Sequence, residues 1–340
     1  MKKSVFIFVI VIILLLVALI VVKCVQDGID EPEQYQDRQP VVSSGEKTSV
    51  TVYYLTADRL YLLPLSMDIP ATTEAAKVAM EKLLAGPPVP DAVDVFPNDT
   101  KLVNLFSIYD TVYIELTADF LLMTDKEITD AVRAIAATVM PLTNCAKFEI
   151  LVEGERLPAD LQLYSKSLSE PIPYYPVVNL SAADQEFLLE VGVALDELAP
   201  VIYYLPESSG KYLVPFTTLV ETSEQLTVEA KADAAVRAML TPPVEGGIYL
   251  LPTANINFQG VQVDNGVAYC DFDQTILDSY GQLIEDLLLK CLVQTLTAQE
   301  GIDSVQITVN GEQPSQTASG VDISRPLTAA ASINQVQVNK

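Results

Sequence analysis

Residues 53–65 read YYLTADRLYLLPL, and residues 203–216 read YYLPESSGKYLVPF. Tyr53-Tyr54-Leu55 returns as Tyr203-Tyr204-Leu205, and Leu63-Pro64-Leu65 returns as Val214-Pro215-Phe216. Outward from these, LLAGPP (83–88) is answered by MLTPP (239–243), Phe96-Pro97 by Leu251-Pro252, YIEL (113–116) by YCDF (269–272), and FEILVEG (148–154) by VQITVNG (305–311). The spacing of matched positions grows from 150 at Tyr53/Tyr203 to 157 at Gly154/Gly311. A slow drift of this kind marks a duplicated unit with small loop insertions.

Each copy is expected to run β-β-α-β-β-α-β. In the first copy, alternation over 49–55 predicts a strand, and a second follows at 59–65, where Pro64 marks an edge or irregular end. Thr72 or Thr73 opens a helix with Ala76, Ala79, Met80, Leu83 and Leu84 on one stripe, which Gly86-Pro87-Pro88 stops. A hairpin pair follows, clearest where Asp264-Asn265-Gly266 joins 261–263 to 267–269, since Asn-Gly favours the tight two-residue turn. Capping boxes at Thr124/Glu127 and Ser279/Gln282 predict the start of the second helix. Its buried stripe is Ile128, Val132, Ile135 and Val139 in one copy and Ile284, Leu288, Cys291 and Thr295 in the other. An alternating strand closes each copy. The fold class is therefore α+β: two tandem two-layer domains, each with helices on one face of a mainly antiparallel sheet whose other face is polar and open.

The chain divides into an anchor (1–24), an acidic tether (25–48), domain 1 (49–156), a linker with Pro171-x-Pro173-Tyr174-Tyr175-Pro176 and a short helix at 181–189 (157–198), domain 2 (199–314) and a flexible tail (315–340). Lys2 and Lys3 precede an uninterrupted apolar run over 5–22, which as a helix reaches about 27 Å and spans a bilayer core. Positive charge at the start puts the remainder outside the cytoplasm, on a single-pass membrane protein. Two fates are open: a retained signal anchor, or lipid attachment at Cys24, against which Lys23 counts because lipidation signals carry a small residue before the cysteine.

Of 340 residues none is His or Trp, and 45 acidic residues face 20 basic ones for a net charge of −25. The missing imidazole removes the usual general base and every His-ligated metal site. The acidity with no basic run argues against nucleic-acid partners. Cys145, Cys270 and Cys291 read as three buried thiols, with a Cys270–Cys291 disulfide also open, since spacing does not decide it. Asp271 and Asp273 with Asp264 nearby admit a hard cation, yet lack the loop of a strong calcium site. Glu115 and Thr117 replace the two aspartates in the first copy, so a paired-carboxylate hydrolase is a minor reading. Ser44-x-x-Lys47 and Ser208-x-x-Lys211 match an acylase spacing but fall in loops. No catalytic residue, cofactor or metal is expected.

The YYL starts, helices ending GPP or TPP, the following F/L-P and the closing V-x-G strands, behind an N-terminal anchor, resemble the GerM spore germination and sporulation proteins, and the repeated unit resembles the GerMN domain. The resemblance implies a non-enzymatic scaffold of the cell envelope acting in sporulation or germination, with a fold similar to ring-building modules of secretion machines. Its partners would be envelope or sporulation-complex proteins and the membrane. Independently of the resemblance, exposed strand edges and open polar faces offer docking surfaces, with edge residues near Pro64 and Pro215 as the candidates. A cell-wall glycan or peptide module using the 15 tyrosines as stacking platforms is the alternative.

Overall fold

In each repeat the chain first folds back as a long hairpin whose first strand alternates in burial over much of its length, while the second is buried on both faces over Leu62–Met67 and Val214–Thr217. A computed structural model of the protein describes residues 46–96, 99–164, 166–181, 184–185, 198–221, 226–242, 246–249 and 251–337. These fall in one compact unit, Ser43–Lys340. The expected anchor, tether and Cys24, and all but three residues of the expected helix at 181–189, lie outside the described residues. Among the described residues no helix is long and apolar enough to cross a membrane.

In the first repeat β1 (Lys47–Thr56) pairs antiparallel with β2 (Leu62–Pro70), and α1 (Ala75–Leu84) follows. The short β3 (Ala92–Val93) adds to β1. Then β4 (Leu102–Ile108) and β5 (Thr111–Leu116) form a second hairpin, and α2 (Asp125–Val139) leads to β6 (Lys147–Val152), parallel to β5. Four two-residue strands follow: β7 (Glu155–Arg156), β8 (Gln162–Leu163), β9 (Lys166–Ser167) and β10 (Ile172–Pro173). The second repeat runs β11 (Leu198–Pro206), β12 (Leu213–Glu221), α3 (Val228–Leu240), β13 (Phe258–Asp264), β14 (Val267–Phe272), α4 (Gln282–Thr297) and β15 (Ser304–Val309). Apart from the two-residue strands β3 and β7 to β10, the order of elements is β-β-α-β-β-α-β twice, as the sequence leads one to expect.

The sheets differ from that expectation. Each repeat has two: the long hairpin, and a separate sheet built on β4-β5-β6 or β13-β14-β15. In both, the closing strand is parallel to its neighbour, because a helical crossover carries the chain back to the end where the previous strand began. The register of the duplication also shifts. Pro64 pairs with Tyr53 and Pro215 with Tyr204, so Tyr53 is the counterpart of Tyr204, not of Tyr203. The amide of Tyr53 donates to Thr138 Oγ1 (3.0 Å), and that of Tyr204 to Thr295 Oγ1 (2.9 Å), which fixes the same correspondence from the helix side.

Local chemistry explains the helix ends. Thr124 and Glu127 form the reciprocal capping box of α2: the Thr124 amide donates to Glu127 Oε2 (2.9 Å) and the Glu127 amide to Thr124 Oγ1 (3.4 Å). The box expected at Ser279/Gln282 is absent. Gly281, at φ 87°, is the N-cap of α4, and its carbonyl accepts from the Glu285 amide. Gly86 (φ 84°) turns the chain out of α1 in the left-handed region that suits glycine. The helices of each repeat pack against one another and against the first strand of the hairpin. One core runs through both repeats, and Tyr61 meets Phe216 edge to face across the junction, 4.8 Å between centroids.

Candidate interaction surfaces

After each closing strand the chain continues as an arm. Glu153-Gly154 and Asn310-Gly311 both turn it with two successive positive φ angles. The first arm returns at β10, where Ile172 pairs with Phe148; the second returns at Leu327, which exchanges backbone hydrogen bonds with Val305 (2.7 and 2.8 Å). The arms then cross to the hairpins. Asn179 accepts from the Leu62 amide (2.8 Å) and donates to the carbonyls of Leu62 and Pro215 (both 2.8 Å). Asn334 accepts from the Leu213 amide (2.9 Å) and donates to the carbonyls of Leu213 (2.7 Å) and Pro64 (2.8 Å). Beyond the asparagines, Leu180 bridges Thr217 on β12, while Gln335 bridges Ser66 on β2. Each arm thus clips its own hairpin to the hairpin of the other repeat, in a pseudo-twofold arrangement. Both asparagines have positive φ (51° and 48°), a conformation Asn tolerates better than most residues.

This corrects two expectations. Pro64 and Pro215 are buried, and the strand edges beside them are filled by the chain's own arms, so they are not open docking edges. The tail is not loose through 315–337: Ile323 and Val336 are buried, and Gln306 Nε2 donates to the Ile323 carbonyl (3.1 Å). The sheet face opposite the helices is accordingly part-covered, since Gln306 and its first-repeat counterpart Glu149 are both buried. The signal that reveals the arms as part of the repeat is Ser169-Glu170-Pro171-Ile172 against Ser324-Arg325-Pro326-Leu327, with Val178-Asn179 against Ile333-Asn334, all 155 apart.

Among the described strands, β4 and β13, which occupy the same place in the two repeats, each end their sheet with no strand paired on the outer side. Each carries a register shift at its start, between Leu102 and Asn104 and between Phe258 and Gly260. Along β4 Val103 and Ile108 are half exposed, at 51% and 48%, and Tyr109 at its end is 99% exposed. The Asn265-Gly266 turn at the end of β13 has the two positive φ angles, 49° and 79°, of a tight hairpin.

The acidic residues do not converge. Asp271 accepts from Thr308 Oγ1 (2.7 Å) and the Gly311 amide (2.9 Å), and Asp264 from Asn265 (3.0 Å). Asp273 accepts from the hydroxyl and amide of Thr275 and from Asn257, and these bonds hold its carboxyl below the usual range. Among the described residues no three His, Cys, Asp or Glu gather as a metal site would require. Lys211 pairs with Asp91 of the first repeat (2.5 Å) and does not engage Ser208; Ser44 lies outside the described residues, and Lys47 sits 3.8 Å from Asp68. Cys270 and Cys291 are free thiols buried in the core, and desolvation pushes both upward, while Cys145 is part exposed. Tyr174 and Tyr175 of the Pro-rich stretch dock on the first repeat beside α2.

The repeat organisation agrees with a family match. Residues 51–158 and 201–315 each match the family described as "Germane: Sporulation and spore germination", together well over half the chain. The chain belongs to the Germane family. Among curated relatives it is similar to the spore germination protein GerM of Bacillus subtilis (strain 168), 22% identical over 291 residues, which cover 83% of this chain and 77% of that protein. Among solved structures, the tandem GerMN domains of the sporulation protein GerM from Bacillus subtilis superpose with a TM-score of 0.60 at 22% identity, over 84% of this chain and 99% of that one. At this identity the likeness concerns the fold: two Germane units in tandem.

Proposed function

We propose that this Germane protein is a non-enzymatic assembly component of the sporulation or germination envelope, held at the outer face of the membrane by its N-terminal apolar run. The observation that carries this reading is the pair of unpaired edges, β4 and β13, presented at equivalent places on two interlocked repeats. An unpaired strand offers a row of amides and carbonyls to a partner strand, and the half-exposed apolar residues of β4 add burial on association. The dispersed carboxylates and the lack of histidine favour binding over catalysis. The reading is tested by affinity capture from sporulating envelopes with the wild-type chain and with Val103→Lys/Ile108→Lys. Specific envelope proteins are expected with the first and lost with the second; equal capture by both sinks the edge as the docking element. Capture of purified wall material with no protein would instead favour the glycan-binding reading.

A further inference from the structure

The two repeats differ where each arm passes its second helix. In the first repeat, Tyr164, Tyr174 and Tyr175 pack beside Arg133, Ala136 and Ala137 of α2 and leave a void of only about 20 Å³. The Arg133 guanidinium stands 5.7 Å from the Tyr164 ring centroid, and the Tyr164 hydroxyl donates to the Val177 carbonyl (3.3 Å). The Thr138/Thr295 correspondence puts Lys290, Val293 and Gln294 at the matching places on α4. The Ile172/Leu327 correspondence puts Ala329 and Ala330 where Tyr174 and Tyr175 stand. Arm residues 312–337 contain no aromatic residue at all. The result is an open cavity of about 670 Å³, lined among the described residues by apolar side chains such as Leu213, Leu287, Leu289, Val293 and Ile333, with Asp286 and Lys290 among its polar groups.

We propose that this cavity in the second repeat is a binding site for tyrosine side chains of a proline-flanked, extended segment of a partner protein. The first repeat supplies the template: the same scaffold position is filled there by the phenol rings of Tyr174 and Tyr175 from Pro-Tyr-Tyr-Pro together with that of Tyr164, the ring that meets Arg133 and the Val177 carbonyl. Truncating the Tyr174 and Tyr175 rings to Ala329 and Ala330 leaves their space without an occupant among the described residues. The polar groups persist in kind. Lys290 is exposed and makes no hydrogen bond or ion pair among the described residues, so it is free to sit over an incoming ring as Arg133 sits over Tyr164. Ser332, which takes the place of Val177, and Asp286 line the cavity, and a backbone carbonyl of the one or the carboxylate of the other can accept a phenol proton. An alkyl chain would fill the volume yet leave these acceptors unused, which favours the phenol. The site is independent of the β4 and β13 edges.

The test uses the full chain and a capped Pro-Tyr-Tyr-Pro peptide carrying 3-fluorotyrosine, followed by 19F NMR, with decanoate as a separate probe. Saturable shift or broadening of the peptide resonance is expected with the wild-type chain and with Val103→Lys/Ile108→Lys alike. Ala329→Tyr/Ala330→Tyr, which restores the first repeat's own rings, should weaken binding at least about tenfold. Lys290→Glu should weaken it several-fold with the unfolding temperature unchanged, a check that stands even where the filled variant folds poorly. An unmoved peptide resonance with wild type, equal binding by all variants, or decanoate binding without peptide binding would overturn the proposal.

Discussion

Asn334 and Pro64, 270 residues apart in the chain, meet through a side-chain amide and a backbone carbonyl at 2.8 Å. The same amide group holds both backbone groups of Leu213, so a single residue satisfies two hairpins at once. Replacing it with Ala orphans one donor and two acceptors in a part-buried junction and leaves a non-glycine residue at positive φ. Asn334→Ala is expected to destabilise the fold by about 2–4 kcal/mol, a fall of several degrees in Tm. Asn334→Gly, which tolerates the backbone conformation, should recover about 1 kcal/mol of that loss. Urea unfolding of the three proteins checks this; a wild-type stability for Asn334→Ala would show that the clasp is dispensable.

Glu149 is 2% exposed, and Arg156 Nε stands 2.8 Å from its Oε1, yet neither carboxylate oxygen receives a hydrogen bond among the described residues. The second repeat places neutral Gln306 at the same position and bonds it to the arm. Removing Arg156 therefore strands a buried charge. Because Arg156 itself is largely exposed, the expected cost is about 1–3 kcal/mol rather than that of a fully buried pair. Glu149→Gln should be close to neutral, and Arg156→Ala should cost little once Gln is present. A double-mutant cycle in urea reads the coupling, and strict additivity would remove the pair from the account.

The elements of both repeats were legible in the sequence because strand alternation, the Asn265-Gly266 turn and the Thr124/Glu127 box are local signals. Long-range pairing was not. The parallel placement of β6 and β15 depends on where the crossover helix returns the chain, which no local pattern encodes. The YYL match is off by one residue in register, since two adjacent tyrosines look alike in sequence while the pairing with Pro64 and Pro215 and the bonds to Thr138 and Thr295 distinguish their faces. The arms escaped notice because they hold on by isolated residues, Ile323, Leu327 and Asn334, rather than by a periodic stripe. The pocket of the second repeat has no local sequence signature, because it arises from Ala329 and Ala330 standing where the first repeat has Tyr174 and Tyr175.

Cysteine reactivity separates the described thiols. Burial pushes the Cys270 and Cys291 thiols far up, and both are fully enclosed, so their nucleophilic thiolate is scarce and inaccessible in the folded chain. Cys145 is part exposed near the Tyr109 carbonyl. Iodoacetamide at mildly alkaline pH is expected to label Cys145 in the native protein and to reach Cys270 and Cys291 only after denaturation. Peptide mass spectrometry reads the sites. Rapid native labelling of Cys291 would contradict its place in the α4 core.

Stability should form a plateau bounded by acid and by alkali. Glu127 is held below the usual carboxyl range by the Thr124 amide and hydroxyl, Asp273 by the Thr275 hydroxyl and amide, and Asp322 by the Ser324 hydroxyl and amide. A depressed folded value means the unfolded chain takes protons first. The contribution is therefore present above the ordinary carboxyl value of about 4 and is lost as pH falls through the folded values. At the other limit, burial pushes Tyr174 and Tyr204 up to about 12. Their raised folded values mean that stability is intact below the ordinary tyrosine value of about 10 and is lost as pH rises through the folded ones. Circular dichroism melts across the pH range should show a Tm that declines on both sides. Glu127→Gln, which keeps an acceptor but no titrating group, should flatten the acid limb relative to wild type. Parallel acid limbs for the two proteins would show that the α2 capping box does not contribute to the acid dependence.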